Sequence, residues 1–128
     1  MIALKITPQG DALYIDINPT TEVLTKELKG YPRVESPFVD EESVMITNSE
    51  PDSELPANKH ITFAKVRGNA IFLSRAEGRY YFYDVKEATV ESILRRCKLT
   101  ITTLEERENL WTVAIRCLRA LYKKIFRF

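Results

Sequence analysis

Between Thr103 and Phe128 the apolar residues recur at a helical spacing, and that periodicity restricts how the rest of the chain can be arranged. Stepping about 100° per residue, Leu110, Trp111, Ala114, Leu118, Leu121 and Ile125 form one broad stripe. Arg116, Arg119, Lys123 and Arg127 fall together on the opposite face, and Glu105, Glu106 and Glu108 crowd the first turn. Thr103 and Glu106 form a capping box that starts a helix of about 36 Å at about 1.5 Å per residue. Trp111, Tyr122 and Phe126 widen the apolar surface beyond what one face of a small β-core can cover. At about 25 cal/mol per Å², leaving it wet would be costly. The expected solution is a homo-oligomer, a dimer or higher, in which the six stripe residues form the interface with a second copy.

A chain of 128 residues suits one domain. Hydrophobic content of 45% and charged content of 29% are too balanced for a disordered chain and fit an ordinary globular one. The net charge of +1 argues against whole-molecule attraction to nucleic acid or anionic lipid. Charge is nevertheless uneven: residues 35–54 hold seven acids and no base, whereas residues 95–128 hold nine bases against three acids. No apolar run reaches the ~18 residues that a membrane helix needs, so no membrane partner is expected. Residues 1–5 lack the charged start and apolar core of a secretory signal. Cys97 and Cys117 have no CxxC spacing and lie on apolar helical faces, as buried reduced thiols do. A cytoplasmic location is the expectation.

The remainder reads as α+β: a mostly antiparallel β-core of about six short strands, then two C-terminal α-helices, the last one long. Ile2–Ile6 and Ala12–Ile17 alternate apolar and polar residues around a Pro8–Asp11 turn, which predicts a hairpin. A short helix is expected near residues 19–29, with Asn18 as N-cap, Pro19 in its first position, and Gly30 in the left-handed conformation at its end. Tyr31–Val34 and Val44–Thr47 are candidate strands, and Asn48–Asn58 is a polar loop. Ile61–Val66, Ala70–Ser74 and Arg79–Asp84 suggest a three-stranded meander with a tight turn at Gly68-Asn69. Asp84 and Glu87 supply a capping box for a helix from about Val85 to Cys97. Residues 1–128 thus form one domain, a core over 1–84 and a two-helix segment over 85–128 used for oligomerisation.

Signatures of catalysis are missing. His60 is the only histidine, no zinc spacing exists, and there is no phosphate-loop, dinucleotide or nucleophile-elbow motif. The expectation is a protein that is not an enzyme and needs no cofactor or metal. Two features point instead to ligand capture. Alternation in the Tyr80–Tyr83 strand sets Tyr80 and Phe82 on one face and Tyr81 and Tyr83 on the other. Tyr80 and Phe82 are the candidate stacking surfaces, each base stacked being stabilised by about 1–3 kcal/mol. Arg33, Arg107, Arg116 and Arg119 are the candidate phosphate partners, because the guanidinium fork gives two parallel charge-assisted hydrogen bonds. Arg107 falls within the apolar stripe, where a charge needs a partner: a ligand, an acid across the interface, or a backbone carbonyl. Sequence-specific DNA binding is not expected, since no helix-turn-helix or ribbon motif appears.

Lys29–Val34, the aromatic Tyr80–Tyr83 strand and the closing Thr102–Phe128 helix with its arginines resemble the small phage proteins that counter the Thoeris defence. The resemblance spans most of the chain and implies a homo-oligomer with ligand pockets between protomers. It further implies sequestration, without chemistry, of cyclic ADP-ribose signals and, as in some members, of cyclic oligonucleotides, in the cytoplasm of a phage host. The site residues above rest on side-chain chemistry alone. The first 75 residues, with Gly30-Tyr31 and Leu55–Asn58, also resemble an uncharacterised family of small phage and mobile-element domains, which implies no activity. The alternative reading is a protein-binding inhibitor whose acidic loops, Glu35–Glu42 and Glu50–Glu54, block a basic groove of a host nuclease or defence effector.

Overall fold

The computed structural model describes residues 1–38, 42–50, 54–75 and 81–102. The closing helix, with the stripe of Leu110, Trp111, Ala114, Leu118, Leu121 and Ile125, lies outside the described residues, as do Tyr80, Arg107, Arg116, Arg119 and Cys117. Within them the chain is α+β. Six strands, β1 (Ile2–Ile6), β2 (Ala12–Asp16), β3 (Pro32–Glu35), β4 (Ser43–Asn48), β5 (Ala70–Arg75) and β6 (Phe82–Tyr83), join two helices, α1 (Thr21–Leu28) and α2 (Glu87–Cys97). The sheet runs β2-β1-β5-β4-β3, with β6 on the end of β5, and every pairing is antiparallel.

The expected β1–β2 hairpin forms, with Leu4 opposite Tyr14. The expected meander does not. Residues 61–66 form no strand, because both edges of β5 are already taken: β1 pairs Leu4 with Phe72, and β4 pairs Met45 with Phe72 from the other side. The segment instead lies over the sheet, tied by the Asn58 N–H to the Val66 carbonyl (2.8 Å), with Ile61 and Val66 buried against Phe72. β1 and β5 sit inside the sheet, so β1 is buried along its whole length, Lys5 included. The Lys5 ammonium reaches Glu27 on α1 at 3.2 Å, which satisfies a charge that would otherwise be costly to bury.

Two apolar clusters fill the two faces. On one, Leu24 and Leu28 of α1 pack on Ala3, Val44, Ile46, Ile71 and Leu73. On the other, Val90, Ile93 and Cys97 of α2 pack on Leu4, Ile6, Met45 and Phe72. The rings of Phe38, Phe63 and Phe72 continue this second cluster, their centroids 5.4 and 6.4 Å apart in turn.

Both helices end differently from expectation. The N-cap of α1 is Thr20, not Asn18: the helix begins at Thr21, and the Thr20 hydroxyl accepts the Val23 N–H. Lys29, not Gly30, takes the left-handed conformation (φ 55°). Gly30 is needed for space, because a Cβ there would stand 2.4 Å from Asn48 Nδ2. That amide donates to the Leu28 and Lys29 carbonyls (3.5 and 3.3 Å), capping α1 from β4. For α2 the N-cap is Lys86 and no side chain caps it. Asp84 is engaged elsewhere, accepting the Ile2 N–H at 2.7 Å.

Candidate anion-binding cleft

Where β3 and β4 end, the 57–67 segment crosses the same face of the sheet, and a cleft of about 510 Å³ opens between them. That is ample for a nucleotide-sized ligand. Its position follows from strand alternation. Arg33 stands opposite Thr47 on β4, on the face that the 57–67 segment covers. Across the cleft, Val66 is buried in the core, so its neighbours Lys65 and Arg67 turn outward. Among the described residues, three cations, Arg33, Lys65 and Arg67, therefore line one cleft, together with Asn48, Ser49 and a single acid, Glu50.

The three cations are not equivalent. Arg33 is ion-paired with Glu35. Arg67 donates from one guanidinium nitrogen to the Leu55 carbonyl at 3.1 Å, which fixes the side chain without neutralising it. Lys65 has no ion pair among the described residues. Asn58 forms the floor; both of its amide protons are spent, on the Ile6 and Gly68 carbonyls at 3.0 Å each, and its own carbonyl oxygen is buried without a protein partner. These bonds set the 57–67 segment on β1 and so fix where Lys65 and Arg67 emerge.

Of the residues expected from sequence, Arg33 is in this cleft. Phe82 is on the opposite face of the sheet, half-buried against the α1 cluster, so the two do not meet. The exposed rings of that strand are Tyr81 and Tyr83. Lys65 and Arg67 are the cleft cations that the sequence candidates do not include. The available signal was the Lys65-Val66-Arg67 pattern, two cations flanking a core residue, but nothing local states that it faces β3. Arg75 is used in the fold, donating to the Ser36 hydroxyl at 2.6 Å.

A second cavity, about 140 Å³ between the Pro8–Gln9 turn and the end of α1, is too small for a nucleotide. Among the described residues no group of His, Cys, Asp and Glu is placed to hold a metal. Among them, too, no helix is long and apolar enough to cross a membrane. Cys97 is a buried free thiol, and burial raises its pKa, the opposite of what a nucleophile needs. Comparison with family models, curated proteins and solved structures returns no match.

Proposed function

We propose that the protein is a non-enzymatic binding module that captures a small anionic nucleotide, of the cyclic ADP-ribose type or a cyclic oligonucleotide. The observation that carries this reading is the meeting of Arg33, Lys65 and Arg67 in one nucleotide-sized cleft, with Glu50 the one acid among its described lining residues. Arginine forks suit phosphate oxygens, and the lysine adds a point charge. Homo-oligomerisation through the closing helix, with Arg107, Arg116 and Arg119 and the Tyr80 ring completing the pocket, belongs to the same proposal. Two of the described acids in those loops lend less support to the inhibitor alternative: Glu35 pairs with Arg33 and Glu42 with Lys86.

The test is calorimetric titration of the full chain with cyclic ADP-ribose isomers at low and moderate salt. Binding is expected to weaken as salt rises, and the ligand to be recovered intact after heating. Lys65→Ala and Arg67→Ala should each cost about 1 kcal/mol of affinity, for partly solvated charge-assisted contacts. Recovery of a cleaved product would make the protein an enzyme, and unchanged affinity in both variants would move the site elsewhere.

A further inference from the structure

Arg33 is already occupied. Glu35, two residues along β3 and on the same face, holds its guanidinium in an ion pair. Carboxylate and phosphate present the same two-oxygen edge to a guanidinium fork, so the two compete for its donors. Lys65 and Arg67 carry charges that no described acid is paired with, and among the described residues lining the cleft Glu50 is the one acid. An entering anion therefore meets two available cations and a third that is engaged. We propose that Glu35 is a resident competitor for the ligand: the anion settles first on Lys65 and Arg67, then completes its site by taking Arg33 from Glu35. This rests on the anion-capture reading above and adds the residue that sets its affinity.

The backbone makes the exchange a side-chain event. Arg33 and Glu35 are pinned opposite Thr47 and Met45 in the β3–β4 ladder, so they cannot separate as a unit. Their side chains, 52% and 35% exposed, can swing into water at little cost, because exposed pairs are weakly held. The competitor therefore lowers affinity by a small factor and blocks nothing. It also selects: a ligand with two linked phosphates can hold Lys65 and Arg67 with one while reaching Arg33 with the other. A single phosphate satisfied by the first two has less to gain from opening the pair.

The experiment titrates the full chain with ADP and with inorganic phosphate, for the unaltered protein, Glu35→Gln, Arg33→Gln and the double variant, with Lys65→Ala as control. Glu35→Gln is expected to tighten ADP by about three- to fivefold, to tighten inorganic phosphate less, and to lose its effect when Arg33 is also glutamine. Suppose ADP binds and Lys65→Ala weakens it. If Glu35→Gln then changes nothing, or tightens ADP equally with and without Arg33, the competition is overturned while the cleft remains the site. If neither the unaltered protein nor Glu35→Gln takes up ADP at millimolar concentration, the cleft reading and the competition fail together.

Discussion

Lys29 and Lys98 each end a helix in left-handed conformation, at φ 55° and 54°, a region that side chains with a Cβ enter at a cost. Glycine at either position removes that strain but loosens the unfolded chain, so Lys29→Gly and Lys98→Gly should each stabilise by roughly 0.5 kcal/mol in urea denaturation. Gly30 behaves oppositely. Gly30→Ala should destabilise by about 1–3 kcal/mol through its clash with Asn48. Most of that loss should vanish in an Asn48→Ala background, a non-additivity that a double-mutant cycle reads directly. Cys97 gives a pH signature. Its folded-state pKa is raised by burial, so its stabilising contribution is complete below the ordinary thiol range and is lost as pH rises through the folded value. Unfolding free energy should therefore fall on the alkaline side, and Cys97→Ala should flatten that part of the profile.

Among the elements, the β1–β2 hairpin and α2 were legible because their signals are local: a turn between alternating runs, and an apolar stripe at helical spacing. The Ile61–Val66 segment misled for a physical reason. Its β-branched composition fits a strand, but β5 pairs on both sides with strands distant in sequence, which no local pattern records. The same limit applied to the cleft. Arg33 could be nominated by residue type, whereas Lys65 and Arg67 reach it only through the path of the 57–67 segment over the sheet. Buried Lys5, paired with Glu27 across the β1–α1 junction, yields an asymmetric prediction. Glu27→Ala leaves an inward ammonium without its acid and should cost more stability than Lys5→Met, which removes the charge and keeps the volume. Equal losses in thermal melts would show that the pair is solvated.

For the whole molecule, the described residues form three layers: α1, the sheet, then α2 with the 57–67 segment. The cleft lies at the margin of the third layer, where the covering segment crosses the end of β3 and β4. Its cations emerge from backbone fixed by the sheet on one side and by the Asn58 bonds on the other. This is the arrangement that lets a site be preorganised before any ligand arrives. Loosening the Asn58 anchor should therefore weaken capture without touching a charge. Asn58→Ala, which loses both donated bonds and adds no charge, should lower affinity and Tm together, whereas Lys65→Ala lowers affinity alone.

Among the described strands, the two halves of the sheet, β1–β2 and β4–β3, are joined in the hydrogen-bonded ladder only through β5, and β5 reaches β1 by three register pairs: Leu4 with Phe72, Lys5 with Ile71, and Ile6 with Ala70. Each flanking hairpin can zip up from its own turn, but this seam must bring together stretches more than sixty positions apart along the chain. Closure of so distant a ladder is the slow event in β-rich folding. Truncating Ile71 to valine should accordingly retard refolding in stopped-flow traces, while a similar trim in α1, Val23→Ala, should chiefly hasten unfolding.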